Sequence, residues 1–151
     1  MIIKELLKIK LNSKRRYAFF IVLAALVVLG YAIYDLIFVN NDQTMIIFNW
    51  VIVALSASLG TFGTYITIGA SLDLKDLKKD VLPMIEAKMV RYNKKGYSPK
   101  NPSEIIYTGQ VFIDLNTNEE KMLIVSNVEP NKRYKIIYGK RTNIGIIVDK
   151  L

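Results

Sequence analysis

Two long apolar runs, residues 17–39 and 44–70, dominate the first half of this chain. The first contains one charged side chain, Asp35, close to its far end, and the second contains none. At a rise of about 1.5 Å per residue, each run is long enough to cross a hydrocarbon core of roughly 30 Å. A soluble domain of 151 residues could not bury two such runs. The sequence therefore predicts two transmembrane helices joined by a short polar loop.

Basic residues flank this hairpin and are missing from its loop. Residues 1–16 contain six Lys or Arg side chains, residues 71–91 contain five, and the loop 40–43 contains none. This asymmetry predicts that both termini are cytoplasmic. The first apolar run is longer than the roughly 7–15 residues of a signal-peptide core, so we expect a retained helix. The excess of 21 Ile over 8 Ala is typical of an A+T-rich bacterial genome, and we expect the bacterial plasma membrane.

The composition restricts the chemistry that the chain can perform. With no Cys and no His, it lacks the usual zinc and haem ligands and the commonest general base. The run Gly-Lys-Arg-Thr at 139–142 resembles the end of a phosphate-binding loop but lacks the glycine-rich lead and the following helix. We therefore expect no cofactor, no metal, no catalytic residues and no enzymatic activity.

Small residues form a stripe on the second predicted span. Ser56, Gly60 and Thr64 are spaced by four, and Gly63 lies beside them. Such a face lets another helix backbone approach closely. Its partner is either the first span of the same chain, a second copy of the protein, or another membrane protein.

Two polar residues interrupt the apolar runs near the loop. Asp35 lies five residues before Asn40, and Asn49 lies five residues after Thr44, so a tight hairpin brings them to similar depth. A shared hydrogen bond would satisfy both groups. An ion or proton relay is the functional alternative, but no second acid or His continues a path, so we favour the structural role.

The pattern divides the chain into four segments. We expect a basic interfacial segment at 1–16, the transmembrane hairpin at 17–70, a juxtamembrane helix at 71–83 that Pro83 stops, and a small β domain at 84–151. The N-terminal apolar residues favour a helix that lies on the membrane surface. The juxtamembrane helix either continues the second span or lies on the membrane.

The β domain is predicted from alternation and turns. Ile85, Ala87 and Met89 alternate with other side chains, while residues 93–103 are rich in Lys, Gly, Pro and Ser and predict a loop. A strand bulge or bend is expected at Gly109, and turns near 116–118, 129–131 and 139–143. Five short strands predict a small antiparallel barrel of the SH3-like or OB-like kind.

Aromatic and basic residues are mixed at two places in this domain. The basic side chains form a predicted basic surface of Arg91, Lys94, Lys95, Arg133, Lys140 and Arg141. Surfaces that bind single-stranded nucleic acid combine the same residue types. Strand aromatics usually fill a core, however, and turn lysines are usually only solvated, so nucleic acid is not the favoured partner.

Three classes of function remain open. The favoured one is a non-enzymatic small membrane protein whose cytoplasmic β domain is an accessory or interaction module at the inner membrane face. The expected partners are membrane lipids and either a protein or a second copy bound through the transmembrane helices. The first alternative is an immunity protein against a bacteriocin or secreted toxin, and the second is a membrane-tethered nucleic-acid-binding protein.

Overall fold

A computed structural model describes residues 2–39, 42–93, 95–97, 105–107 and 109–151. The chain divides into two compact units. The helical unit comprises Asn12–Ser71, and the mixed unit comprises Met1–Leu11 together with Leu72–Leu151.

Two long helices, α1 (Ile2–Phe38) and α2 (Gln43–Lys78), precede the strands. Both are long and apolar enough to cross a membrane. In the most apolar part of each helix only 11% of the residues are buried, unlike the core helix of a soluble protein. Helix α2 begins after Asp42, whose Oδ1 accepts a hydrogen bond from the backbone N–H of Met45 at 2.9 Å and so caps the first turn.

Both helices extend beyond the apolar runs into the flanking basic segments. Helix α1 begins at Ile2 and continues through the basic segment without a break, because no helix-breaking residue lies between that segment and the apolar run. Helix α2 continues to Lys78, and the chain leaves it through Asp80 at a φ of 59°.

The C-terminal half forms a five-stranded antiparallel sheet in the order β5-β4-β1-β6-β7. These strands are β1 (Met84–Tyr92), β4 (Gln110–Asp114), β5 (Glu120–Leu123), β6 (Arg133–Tyr138) and β7 (Gly145–Lys150). The long central strand β1 pairs with β6 through its first half and with β4 through its second half. A separate hairpin, β2 (Lys95–Tyr97) with β3 (Ile105–Tyr107), occupies part of the stretch where a loop was expected.

The sheet is not closed, and the expected barrel is not confirmed. One isolated parallel bridge, between Ile124 and Ile144, links the two ends of the sheet order. In it, Ile124 N donates to Asn143 O at 2.7 Å and Gly145 N donates to Ile124 O at 3.0 Å. The expected bend at Gly109 lies between strands of two different sheets, and this glycine has a φ of 144°.

The mixed unit has two apolar clusters. The sheet cluster includes Ile85, Ala87 and Met89 of β1, which confirms the alternation read from the sequence. The helix-end cluster joins both helices to β6, β7 and the turn before β7. Its buried members are Leu7, Leu11, Leu74, Leu77, Ile137, Ile144 and Ile146. Because Ile136 and Ile137 belong to different clusters, strand β6 carries apolar side chains on both faces.

Candidate functional site

A buried carboxylate joins the last turns of α2 to the turn between β6 and β7. Asp73 is 0% exposed, and it accepts hydrogen bonds from the hydroxyl of Thr142 at 2.8 Å and from its backbone N–H at 2.9 Å. The backbone N–H and the guanidinium of Arg141 donate to the same carboxylate at 3.3 Å. A buried carboxylate is costly unless it is hydrogen-bonded and paired with a charge. Asp73 meets both conditions.

Arg141 extends this contact to the protein surface. Its Nη1 donates to Asp76 Oδ2 at 2.7 Å as well as to Asp73. The hydrogen bond to Asp76, with a smaller contribution from Asp73, raises the pKa of Arg141 above its ordinary value. The guanidinium therefore keeps its charge and is bound by two acids of the same helix.

Gly139 leaves the space that this carboxylate occupies. A Cβ atom at position 139 would collide with Asp73 Oδ2 and lie 2.7 Å from Thr142 Oγ1. The turn then closes through Asn143, which has a φ of 55° and donates its N–H to Gly139 O at 2.9 Å. The run at 139–142 is thus a turn that binds a carboxylate of its own chain and leads into a strand.

A groove in the same unit has an apolar floor and a basic rim. Its volume is about 390 Å³, and it is lined by Lys4, Glu5, Lys8, Leu74, Leu77 and Lys78. We call it the lysine groove. Lys4 pairs with Asp80 at 2.5 Å, whereas the ion pairs among the described residues include neither Lys8 nor Lys78. The lysine groove therefore presents apolar surface beside two cationic side chains.

A second cavity of about 470 Å³ lies between the start of α1 and strand β7. It is lined by Leu6, Lys10, Ser126, Asn127, Ile146, Ile147 and Lys150. Lys10 Nζ donates to Ser126 Oγ at 2.9 Å, and burial lowers the pKa of this lysine. The hydrogen bond ties the first turns of α1 to the loop that follows β5.

The structure brings together the two polar residues predicted to pair in the helical unit. Asn49 Nδ2 donates to Asp35 Oδ2 at 2.6 Å, and Asn49 is only 5% exposed. Burying a polar group is costly unless it is hydrogen-bonded, and this contact gives the buried Asn49 amide a partner.

The predicted small-residue stripe faces α1 over part of its length. A Cβ added at Gly63 would lie 2.8 Å from Val22 Cγ2 and 3.1 Å from the backbone oxygen of Ala18, while one at Gly60 would lie 3.7 Å from Ala25 Cβ. Ser56 is buried, whereas Thr64 is exposed. The closest helix approach in this stripe is therefore at Gly63.

The predicted basic surface is divided among different environments. Arg91 forms two hydrogen bonds with Glu120, at 3.1 and 3.2 Å, and Arg141 pairs with Asp73 and Asp76 of α2. Arg133 and Lys140 are exposed. Position Lys94 and the side chain of Lys95 lie outside the described residues. The structure thus commits two of these six residues to ion pairs within the chain.

Sequence reasoning missed Asp73, although its position carried a signal. Ala70, Asp73, Leu74 and Leu77 follow the i, i+3, i+4, i+7 spacing of one helix face, and all four are buried. An acid on an otherwise apolar helix face indicates that hydrogen-bond donors from another part of the chain contact its carboxylate.

Among the described residues, no group of three or more His, Cys, Asp or Glu could hold a metal ion. Comparison of the chain with protein-family models, with curated proteins and with solved structures found no match.

Proposed function

We propose that this chain is a non-enzymatic integral membrane protein of the bacterial plasma membrane, in which a cytoplasmic β unit serves as an accessory module that binds a partner protein. The length, apolarity and exposure of α1 and α2 support a transmembrane hairpin. Large apolar side chains such as Phe20, Leu26 and Phe62 are 58–64% exposed, an arrangement that lipid stabilises and water does not.

The composition of the mixed unit supports a topology with both termini on one side. Leu7 and Leu11 pack in one cluster with Leu74, Leu77 and residues of the sheet. Segments that share a buried cluster lie on the same side of a membrane, so the helices cross it an even number of times. The basic residues that flank the hairpin favour the cytoplasmic side for this unit.

The strand order supports a partly open barrel of the OB-like kind. The first strand of the sheet, β1, is central and pairs with both β4 and β6. The parallel bridge from Ile124 to Ile144 joins the two ends of the order β5-β4-β1-β6-β7. An OB-like barrel is a five-stranded, partly open Greek-key arrangement, and a parallel contact between its end strands is what closure of this sheet requires.

The lysine groove carries the proposal of a partner-binding module. Its lining, which includes Leu74 and Leu77, is mostly apolar surface, and Lys4, Lys8 and Lys78 outnumber the acid Glu5 beside them. A protein segment with apolar and acidic side chains complements both features. Two residues of the predicted basic surface, Arg91 and Arg141, are already paired with acids, and the exposed Arg133 and Lys140 lie outside this groove.

Site-specific photocrosslinking in living cells tests this proposal. A photoreactive residue at Lys8 or Lys78 should capture the same protein, and one at the exposed Lys132, which lies outside the groove, should not. When the photoreactive residue is at position 78, the additional substitution Lys8→Glu should abolish capture, because the negative charge at position 8 repels an acidic segment. Capture that survives this charge reversal, or that is equal from position 132, contradicts the proposal.

A further inference from the structure

We propose that a cavity in the helical unit binds one anionic phospholipid, with the headgroup phosphate held by Arg15 and Arg16 and an acyl chain against Phe19 and Phe20. The inference rests on the proposed transmembrane placement of the hairpin. It adds a defined lipid site to that placement.

The cavity has the polar-to-apolar order of a phospholipid. Its volume is about 560 Å³, and it is lined by Arg15, Arg16, Phe19, Phe20 and Thr67. Phe19 and Phe20 each follow an arginine by four residues, so each ring lies about one helical turn, roughly 5.4 Å, further along α1 than its arginine. The two rings contact each other edge to face, with centroids 6.5 Å apart. The site therefore has a cationic end and an aromatic end.

The cationic end suits an anion with several acceptor oxygens. No acidic residue lines the cavity, and the ion pairs among the described residues include neither Arg15 nor Arg16. Two adjacent guanidinium groups repel each other, and a phosphate relieves this repulsion while accepting paired hydrogen bonds from each fork. The Thr67 hydroxyl donates to Gly63 O at 2.8 Å, so the arginines must supply the donors.

The aromatic end favours a lipid over a small soluble phosphate. Phe19 and Phe20 are 55% and 64% exposed, and a free phosphate would leave both rings uncovered. The apolar run begins at Tyr17, directly after the two arginines, where a crossing helix passes from headgroups to acyl chains. Basic pockets at this depth on the cytoplasmic side are suited to anionic headgroups.

Native mass spectrometry of the full chain in detergent tests the site. The probes are phosphatidylglycerol and phosphatidylcholine with identical acyl chains. We expect the wild type to retain phosphatidylglycerol preferentially and Arg15→Gln/Arg16→Gln to lose that preference by roughly tenfold or more. Lys132→Gln/Lys140→Gln removes equal charge from exposed positions outside the cavity and should leave the preference intact. Phe19→Ala/Phe20→Ala should weaken retention while both arginines remain.

Each alternative result overturns the assignment. The lipid site is refuted if the wild type retains the two lipids equally, or if Arg15→Gln/Arg16→Gln keeps the wild-type preference. Displacement of the lipid by millimolar glycerol 3-phosphate would identify a soluble phosphate site instead. Alkaline carbonate washing separates the two proposals: a protein stripped from membranes refutes the hairpin and the lipid site, whereas a retained protein without lipid preference refutes the lipid site alone.

Discussion

At the scale of single residues, the contact between Asp73 and the 139–142 turn was only half predictable. The helical spacing around Asp73 places it on the apolar face, but its donors, Arg141 and Thr142, lie 68 and 69 positions further along the chain. No local pattern encodes which loop will meet a buried acid, because that choice depends on how the whole sheet packs. The missing side chain of Gly139 becomes meaningful only once Asp73 lies against it.

Gly139→Ala should destabilise the mixed unit because its Cβ would occupy the position of the Asp73 carboxylate. We expect a loss of at least about 2 kcal/mol in the free energy of unfolding, as for other disrupted buried networks. Hydrogen exchange of the β6 and β7 amides measures it. Gly30→Ala is the matched control, because nothing lies within 4 Å of the added Cβ atom. Equal protection in the two variants would show that the turn adapts without cost.

The ion pair between Asp114 and Lys121 should make the stability of the β unit depend on pH. Lys121 Nζ donates to Asp114 Oδ2 at 2.7 Å, and this hydrogen bond lowers the pKa of Asp114. Since the folded pKa lies below the unfolded value of about 4, the ionised carboxylate stabilises the fold above that pH and loses its contribution as the pH falls through the folded pKa. The wild type should therefore be more stable than Asp114→Asn at neutral pH, and this difference in unfolding free energy should shrink below about pH 4.

Chemical unfolding between neutral and acid pH measures this difference. Asp149→Asn is the control, because Asp149 is exposed and its substitution should change stability little at any pH. A difference between wild type and Asp114→Asn that stays constant with pH would refute the role of the Asp114–Lys121 pair.

At the scale of elements, local sequence signals predicted which helices, strands and turns exist better than they predicted where each one begins and ends. The expected turns contain Asn118, Asn131 and Asn143 with φ values of 58°, 65° and 55°, a conformation that Asn tolerates better than most residues. Lysine and arginine are good helix formers, and α1 accordingly runs through the basic segment to Ile2. Strand β3 lies within the strand expected around Gly109, whereas β2 and its pairing with β3 were missed because a three-residue strand offers too little alternation to recognise.

Packing of the hairpin should be more sensitive at Gly63 than at Gly60. A methyl group at Gly63 would lie 3.1 Å from the Ala18 backbone oxygen, which cannot move aside as a side chain can, whereas Gly60 has ordinary clearance. Gly63→Ala should weaken the association of α1 with α2 by about 1 kcal/mol in free energy, and Gly60→Ala should change it little. Thermal unfolding in detergent, followed by circular dichroism, compares them. The reverse order would mean that α1 and α2 pack through another face.

At the scale of the whole molecule, the sequence predicted the classes of structure and missed how they combine. Two apolar runs and an alternating C-terminal half are local properties of composition and spacing. That the helix ends belong to the same compact unit as the sheet is a tertiary property. The β segment alone, 84–151, lacks the helical half of the helix-end cluster, namely Leu7, Leu11, Leu74 and Leu77.

Leu7→Ala should therefore destabilise the sheet, although Leu7 lies 77 positions before β1 begins. Its side chain is 0% exposed, and truncating a buried leucine costs about 2–5 kcal/mol. Leu6→Ala is the matched control, because Leu6 is 48% exposed. Hydrogen exchange of the β6 and β7 amides in the full chain distinguishes the variants. Equal exchange would mean that the sheet folds without the start of α1.

The most direct test of the central claim, a transmembrane hairpin with both ends on the cytoplasmic side, is single-cysteine labelling of intact cells. The chain has no cysteine, so each introduced thiol reports one position. A membrane-impermeant maleimide should label Gln43→Cys in intact cells and label Glu5→Cys and Lys132→Cys only after the cells are lysed. Labelling of position 132 from outside, or protection of position 43 until lysis, would contradict this topology.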